Sequence, residues 1–560
     1  MQKSTSTQLS TSNLSLDDES MTHEDINLQF LSQFEPTDVE ELKKLLAKHP
    51  IKTSDDDPLP PFLIQKNLEL LLPTWVKLIN KSLKEGDFSG LKSAIINPSF
   101  KGNGQDCDRN NSYRPISNLQ FLSKLLERVV LSRLNSHMKR IGCALPNQYG
   151  YKPAHNTESL LIKITTDILI ASDSKTATVL LLLNLSAAFD TVDKDKLINI
   201  LSKEIEICGK ALQWFCSYLY GRTQRVKVGN EYSEEVVLEF GVPQGSVLGP
   251  VLFNIYLRSL YKDVESIGFS IKGYADDHQL YVTFVPEFQY NILYGYLNTV
   301  MNKVLLWMNE HFLKLNPSKT EIIVFGSPDV TNKIDIHGTF LNNDCIRFVN
   351  SVKNLGFHLD SALTFDEQIN HVAQSCFLSI KNISSIKHFL DYEEKRSLIS
   401  SLVLTKLDYC NAMYVGSSSH NLNKLQSIQN SATKIVFGCQ RNDNNISRLN
   451  TLHWLPVRNR IIFKICVFVH KCLYHDAPYD NMALLQPADS FIRTAKLKST
   501  YTPDTAIGCK SISVCAPKIW NAIPISLRQE MNLIKFKSEL KTFLFTDTET
   551  TLYTRMLNTR

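Results

Sequence analysis

Apolar residues recur three or four positions apart in two early parts of the chain, and this spacing predicts helices. In the first part, the positions with helical spacing are Leu63, Leu68, Leu71, Leu72, Val76, Ile79 and Leu83. Pro73 interrupts this run, and because proline lacks the backbone N–H that a helix interior needs, it is expected to end one helix and begin another. The second part, residues 121–140, carries its apolar positions on one side and predicts an amphipathic helix.

Shorter apolar runs predict strands. Residues 91–101 have the composition of one strand, and residues 181–190 have that of another. Two further runs, residues 269–273 and 280–285, flank an acidic turn. They predict a hairpin with Asp276 and Asp277 at its tip.

Beyond about residue 370 the pattern is almost entirely helical. A single apolar face is formed there by Leu422, Leu425, Ile428, Ala432 and Ile435, which is more typical of a bundle helix than of a DNA-reading helix. Residues 1–35 have no periodicity and predict a disordered leader. The pattern therefore predicts an α+β chain, with a leader (1–35), a helical extension (36–90), a mixed core (91–345), a helical region (346–440) and a C-terminal region of unknown function (441–560).

Composition sets few limits on function. With 61 Lys and Arg against 56 Asp and Glu, the net charge is only +5, so nucleic-acid binding would have to come from local basic grooves. The cysteines include no Cys-x-x-Cys pair, which argues against a zinc site or a disulfide framework. The N-terminus does not resemble a secretory signal, and no apolar run approaches the ~20 residues that span a bilayer. We expect a soluble, nuclear or cytoplasmic protein that is not secreted and has no membrane partner.

The acidic tip suggests chemistry on nucleotides. Phosphoryl transfer uses two magnesium ions, and such hard cations are held by carboxylate oxygens, which Asp276 and Asp277 can supply. Taken alone, an acidic pair in a turn is more often a solvated surface feature. The segment 241–250 changes this balance, because its three glycines and two prolines ahead of a helical run suit a backbone that approaches something closely.

With these pieces in place, the chain resembles the reverse transcriptase of a non-LTR retrotransposon, of the jockey or chicken-repeat type. The matching segments occur in the family's order: residues 113–118, Gln148-Tyr149-Gly150-Tyr151, residues 185–193, residues 241–250, Tyr274-Ala275-Asp276-Asp277, Leu315-Asn316-Pro317-Ser318-Lys319-Thr320 and Val352-Lys353-Asn354-Leu355-Gly356. Residues 452–457 and 516–521 also resemble the family's C-terminal extension. The resemblance implies a right-hand polymerase, with fingers and palm over residues 91–345 and a thumb-like region over residues 346–440.

The resemblance also implies roles for individual residues. It makes Asp276 and Asp277 metal ligands for two Mg²⁺ ions, with Mn²⁺ as a possible substitute, and Phe189 the steric gate against a ribose 2′-hydroxyl. Gln244 and Gly245 would contact the RNA template and the incoming deoxynucleoside triphosphate. The remaining basic residues of the implied site are Lys92, Lys101 and Arg114, which would neutralise the triphosphate, and Lys319, a candidate general acid. The DNA primer completes the set of implied partners.

One position departs from the family. Where the family has an aspartate that bridges both metals, this chain has Asn184, and an amide brings no negative charge to two divalent ions. We expect severely impaired polymerisation in magnesium. Asp190 is not expected to compensate, because it lies six residues further on.

Two other interpretations stay open. The first is a catalytically inactive protein that binds RNA or an RNA:DNA hybrid, or the product of a decaying element copy. Complete elements also encode an endonuclease, and a leader of this length is too short to hold one. The second is an RNA-templated RNA polymerase, which Phe189 argues against.

Overall fold

A computed structural model describes residues 30–102, 104–143, 147–186, 188–316, 319–327, 339–341, 344–346, 348–438, 445–475 and 477–546. Within these residues the chain forms two compact units. The first unit contains the residues up to 143 together with residues 194–248. The second contains residues 147–193 and everything described from residue 249 onward.

The strands of both units are numbered in chain order. They are β1 (Ser93–Phe100), β2 (Tyr113–Leu119), β3 (Ala177–Ser186), β4 (Thr223–Val228), β5 (Glu231–Tyr232), β6 (Val236–Val237), β7 (Ser270–Tyr274), β8 (Asp277–Phe284), β9 (Lys314–Leu315), β10 (Glu321–Phe325), β11 (Thr339–Leu341), β12 (Asp344–Ile346), β13 (Phe348–Val349), β14 (Ser351–Asn354), β15 (Phe357–Asp360), β16 (Leu485–Pro487) and β17 (Leu497–Ser499).

The α-helices are numbered in the same way. They are α1 (Val39–Lys48), α2 (Pro61–Lys66), α3 (Leu68–Glu85), α4 (Phe121–Arg140), α5 (Thr157–Asp173), α6 (Lys194–Lys203), α7 (Gly209–Leu219), α8 (Gly249–Tyr256), α9 (Arg258–Ser266), α10 (Pro286–Glu310), α11 (Asp366–Ile386), α12 (Tyr392–Ile399), α13 (Thr405–Asp408), α14 (Ser419–Phe437), α15 (Asn445–Thr451), α16 (Val457–Tyr474), α17 (Tyr479–Met482), α18 (Phe491–Thr494), α19 (Ile512–Ala522), α20 (Ile525–Arg528) and α21 (Leu533–Thr546).

The first unit is built on a mixed sheet in which β1 lies between β2 and β4. Strand β2 is antiparallel to β1, with Arg114 opposite Ser99, whereas β4 is parallel to it. Beside the sheet, Trp214 on α7 stacks on Tyr218 and meets Phe88 edge to face. This aromatic cluster is buried and fixes α7 within the unit.

The second unit is built on a mostly antiparallel sheet in the order β13, β10, β3, β8, β7. Strand β3 lies in the middle, paired with β8 on one side and β10 on the other. Four consecutive core residues of β3, Val179 to Leu182, are at most 8% exposed, because β3 is covered on both faces. The sheets and helices together confirm the predicted α+β class.

Several predicted elements are confirmed. Helix α4 begins and ends at the predicted residues, β1 falls within residues 91–101, and β7 and β8 form the predicted hairpin. Trp454 and Trp520 are both buried.

The predicted break at Pro73 is wrong. Helix α3 runs through Pro73, and the interruption lies at Asn67 instead. Proline removes one hydrogen bond, to the carbonyl of residue 69, and that residue is exposed. The burial of Leu72, Trp75 and Ile79 on one continuous face of the helix outweighs this single loss.

The structure adds one observation at each of two predicted domain boundaries. The leader predicted to end at residue 35 lies largely outside the described residues, but Leu31 already pairs with Ile207 and Phe34 is buried. The boundary predicted at residue 440 does not separate two cores. One hydrophobic core contains residues from both sides of this boundary, such as Leu180 in the sheet, Ile428 in α14 and Trp520 in α19. Helices α16 and α21 contribute to the same core.

Candidate active site

The acidic tip is a tight turn between β7 and β8. Tyr274 pairs with Asp277, and Ala275 and Asp276 form the connection. Ala275 has a φ angle of +59°, a left-handed conformation that non-glycine residues adopt rarely. Asp276 therefore lies in the turn itself, whereas Asp277 is the first residue of β8.

Gln148 holds this turn in place. Its side chain is 1% exposed, and its Oε1 accepts hydrogen bonds from the backbone N–H of Ala275 (3.0 Å) and of Gly150 (2.8 Å). Its Nε2 donates to the carbonyl of Ala275 at 3.2 Å. A Cβ on Gly150 would lie 2.4 Å from the Ala275 nitrogen, so only glycine fits there. The sequence placed Gln148 in a matching segment without giving it this role, because a buried amide and an exposed one look alike in sequence.

Asn184 lies directly beside the acidic tip. It is opposite Asp277 in the register of β3 and β8, and its Nδ2 donates a hydrogen bond to Asp277 Oδ1 at 2.7 Å. The backbone carbonyl of Asn184 accepts from the N–H of Asn316 at 3.0 Å. The structure thus brings the substituted position and one of the two predicted acids into direct contact.

A pocket of roughly 270 Å³ opens beside this pair. Because strand residues two apart share a face, Leu182 lies on the same face of β3 as Asn184, with Gln279 and Glu321 opposite it on the two neighbouring strands. Lys319, Lys353 and Asn354 also line the pocket. Lys319, the predicted general acid, is thereby placed in the same pocket as Asn184 and Asp277.

Two charged or titratable residues at the pocket were not singled out in the sequence. Burial raises the pKa of Glu321, which lines the pocket. Burial also lowers the pKa of His278 to about 4, so its ring is neutral at pH 7 and its Nδ1–H can donate to the carbonyl of Asp276 at 3.1 Å. Neither residue stands in a motif, and only the pairing of β3 with its neighbours reveals them.

Phe189 lies in a turn beyond β3 and is 8% exposed. Its ring stacks on Phe253 with centroids 4.9 Å apart, and Tyr151 meets it edge to face at 6.2 Å. Asp190, the next residue, is exposed. A fixed ring at the predicted gate position is therefore present, and its orientation is set by aromatic packing.

The three predicted finger residues do not form one group. Arg114 is opposite Ser99, and Lys101 lies two residues after Ser99, so Arg114 and Lys101 share a face at one end of the β1–β2 hairpin. Lys92 lies at the other end of β1, nine residues from Lys101, which corresponds to roughly 30 Å along a strand. The role of Lys92 beside the other two residues at the triphosphate stays a prediction.

Gln244 and Gly245 lie in a loop of the first unit that is fixed to β2. The carbonyl of Gln244 accepts from the N–H of Ser117 at 2.7 Å. Gly245 has a φ angle of +127°, and a Cβ there would lie 2.5 Å from the carbonyl oxygen of Ser117. Gln244 Oε1 is buried and has no hydrogen-bond partner among the described residues. The loop thus presents an unsatisfied acceptor.

The described residues contain a single close group of three possible metal-binding side chains of His, Cys, Asp or Glu: Asp106, Cys107 and Asp108, all on an exposed loop. At the acidic tip the oxygen donors are instead Asp276, Asp277 and the Asn184 amide. Gln279 Oε1 in the pocket wall has no partner among the described residues. This set of oxygens fits a hard divalent cation, although the resemblance to reverse transcriptases implies a site with one carboxylate more.

None of the helices in the described residues is both long enough and apolar enough to cross a membrane.

Comparison with known proteins supports the same interpretation. Residues 101–359 match the family model of reverse transcriptases (RNA-dependent DNA polymerases). The chain is 29% identical over 427 residues to the probable RNA-directed DNA polymerase from transposon BS of Drosophila melanogaster, covering 74% of this chain and 46% of that protein. It is 27% identical over 420 residues to the RNA-directed DNA polymerase from mobile element jockey of the same species, covering 71% and 44%.

The chain spans less than half the length of these two relatives. A solved structure of telomerase from Candida albicans aligns with a TM-score of 0.36 at 14% identity, covering 70% of this chain and 68% of that one, which is too loose to identify a shared fold. The matched family model, the ordered segments and the two transposon relatives agree with one another. Residues 101–359 therefore match the reverse transcriptase family, and the chain is similar to RNA-directed DNA polymerases of non-LTR retrotransposons.

Proposed function

We propose that this chain is an RNA-directed DNA polymerase by descent whose nucleotidyl-transfer site is silenced, or nearly so, by Asn184. The observation that carries the proposal is the hydrogen bond from Asn184 Nδ2 to Asp277 Oδ1 at 2.7 Å. The amide turns its donor, not an oxygen, toward the carboxylate that the family uses as a metal ligand. A bridging ligand must instead present oxygen to the ions.

Reverse transcriptases use divalent metal ions, which supply the charge that stabilises the transferring phosphoryl group. In this chain Asp276 and Asp277 would hold such ions, with Mg²⁺ the natural choice and Mn²⁺ a possible substitute. Two divalent ions beside a triphosphate are held by the negative charge of their ligands, and replacing a carboxylate with an amide removes one full charge from that set. Rotating Asn184 so that its oxygen faces the ions would also break its bond to Asp277.

The other predicted residues divide by position. Lys319 in the pocket beside Asn184 is the proposed general acid for the leaving pyrophosphate. Phe189, held by Phe253, is the proposed gate against ribonucleotides. On the first unit, Arg114 and Lys101 at one end of the hairpin are proposed to bind the triphosphate, and Gln244 and Gly245 to contact the RNA template and the nucleotide.

A second function is supported by the same hydrogen bond. The Asn184 amide already hydrogen-bonds the Asp277 carboxylate without a metal ion. A protein that only binds RNA or an RNA:DNA hybrid needs no metal at this position, so the pair suits such a protein. Such binding must weaken steeply with salt, because phosphate contacts release counterions. A chain that binds hybrid in this way but extends no primer in any variant would fit this second function.

Primer extension on an RNA template tests the proposal. The chain as it stands, Asn184→Asp, and Asn184→Asp combined with Asp277→Asn are compared in magnesium and then in manganese. We expect only Asn184→Asp to extend the primer. The double variant should lose this activity, because it again has one amide and one carboxylate at positions 184 and 277. Extension by the unsubstituted chain at a rate close to that of Asn184→Asp would overturn the proposal.

A further inference from the structure

Glu127 is a charged residue in the middle of α4 and has no exposed surface. Its Oε2 accepts hydrogen bonds from the backbone N–H groups of Val247 (2.7 Å) and Leu248 (2.9 Å). The hydroxyl of Tyr218 donates to the same oxygen at 3.2 Å, and that of Ser123 donates to Oε1 at 3.3 Å. Through this carboxylate, α4 binds the backbone of a loop about 120 residues further along the chain.

This loop, residues 241–248, is the one that carries Gln244 and Gly245. It is attached to the first unit at two places: at Gln244, through the backbone bond from Ser117, and at Val247 and Leu248, through Glu127. Between them the hydroxyl of Ser246 donates to the carbonyl of Pro243 at 2.8 Å and closes the turn. The backbone from Gln244 to Leu248 is thereby held at both ends, which leaves little freedom around Gly245.

We propose that Glu127 is a positioning residue, which holds the loop 241–248 so that Gln244 meets the template and the incoming nucleotide at a fixed place. This rests on the contact role proposed for Gln244 above. Glu127 itself touches neither substrate in this proposal. It acts through the backbone of Val247 and Leu248.

The geometry also explains why a carboxylate stands there. One carboxylate oxygen accepts two adjacent N–H groups and a phenol together, and a charged acceptor forms such bonds more strongly than a neutral one. Glutamine can accept the same two N–H groups with its oxygen and donate to Ser123 with its amide, so Glu127→Gln keeps the hydrogen bonds and removes the charge. Alanine removes both.

The test measures the loop and the nucleotide separately. Hydrogen exchange reports the protection of residues 241–248, and fluorescence competition reports the affinity of a deoxynucleoside triphosphate for the complex with RNA template and DNA primer, in calcium, so that no turnover is needed. The variants are Glu127→Ala, Glu127→Gln and Gln244→Ala. Ser123→Ala is the matched control, because it removes a donor to Glu127 that does not belong to the loop.

We expect Glu127→Ala to speed exchange in residues 241–248 and to weaken nucleotide affinity, each by about tenfold, the size of one lost charged hydrogen bond. Glu127→Gln should fall between this variant and the parent, and Ser123→Ala should stay within about twofold of the parent. If Glu127→Ala proves unstable, hydrogen exchange and nucleotide affinity are compared between Glu127→Gln and the parent instead. The positioning role is overturned if Gln244→Ala weakens nucleotide binding while the Glu127 variants do not. If Gln244→Ala also has no effect, the contact role of Gln244 is wrong as well, so the two failures are distinguishable.

Discussion

The side-chain amide of Asn184 donates a hydrogen bond to the carboxylate of Asp277 across adjacent strands, at 2.7 Å. A neutral donor therefore stabilises the carboxylate where the family places a second carboxylate. Under the proposed function, this hydrogen bond stabilises the protein without metal, whereas a second carboxylate would repel Asp277 without ions and help to hold them when they are bound.

Asn184→Asp is therefore expected to cost stability without metal. Two carboxylates at hydrogen-bonding distance repel each other and favour taking up a proton, so the folded state of the variant holds that proton to higher pH than the unfolded chain does. The cost is small near pH 4 and grows as the pH rises, to about 1–3 kcal/mol at pH 8. Urea unfolding at both pH values, with and without Mn²⁺, measures it. A cost that is the same at both pH values, or that manganese does not relieve, would contradict this reading of the pair.

Gly150→Ala should damage the acidic tip specifically. The added Cβ would lie 2.4 Å from the Ala275 nitrogen, which must move together with the turn that Gln148 holds. We expect a loss of at least about 2 kcal/mol in the free energy of unfolding and faster hydrogen exchange in residues 274–277. Gly295→Ala is the control, because Gly295 lies in α10 with no atom within 4 Å of an added Cβ, and alanine there should be neutral or slightly stabilising. Equal effects of the two substitutions would argue against the idea that the close contact between Gly150 and Ala275 holds the acidic tip in place.

Asp173 predicts a pH dependence at the end of α5. Burial would raise the pKa of Asp173, but hydrogen bonds from Thr505 and Tyr501 and from the backbone of Asp504 lower it to about 2. A carboxyl whose folded pKa is depressed stabilises the fold above its unfolded pKa, near 3.9, and loses this contribution as the pH falls toward 2. Asp173→Asn should therefore cost about 1–2 kcal/mol at pH 7 and almost nothing at pH 2.

Urea unfolding of Asp173→Asn at pH 7 and pH 2 checks this expectation. Asp489→Asn is the control, because the side chain of Asp489 is fully exposed in its ion pair with Lys498 and should change stability by less than about 0.5 kcal/mol. If the two variants lose the same free energy of unfolding at pH 7, the hydrogen bonds to Asp173 do not stabilise the second unit.

Removing residues 441–560 should prevent the second unit from folding. Helices α16, α19 and α21 contribute core residues such as Ile465, Trp520 and Leu544, and Tyr149 near the acidic tip bonds Asn481 at 3.1 Å. A chain ending at residue 440 would expose this core to water. We expect it to aggregate or to lose its cooperative melting transition, measured by circular dichroism. A soluble truncated chain with an unchanged transition would show that the C-terminal region is a separate domain.

The sequence predicted features that depend on local pattern and could not predict those that depend on distant pairing. Helix α4 and the β7–β8 hairpin follow from periodicity and turn chemistry over about 20 residues or fewer. The roles of Glu127 and Gln148 were missed because the burial of a polar side chain does not show in the sequence, and the backbone groups that they hold at Val247 and Ala275 lie 120 and 127 residues away. The sequence also does not show that Lys92 and Lys101 lie at opposite ends of β1. A strand's two ends look equivalent in sequence, whereas in the fold they are far apart.

The number and affinity of bound Mn²⁺ ions, followed by electron paramagnetic resonance, test the central claim most directly. The parent, Asn184→Asp and Asn184→Asp with Glu321→Gln are titrated in the presence of RNA template, DNA primer and a non-hydrolysable nucleotide. Glu321→Gln is the control, because Glu321 lines the same pocket and lies outside the family's ligand set. We predict that Asn184→Asp binds manganese at least about tenfold more tightly than the parent and that Glu321→Gln changes this affinity little. Equal manganese binding by the parent and Asn184→Asp would contradict the claim that the missing carboxylate at position 184 disables the site.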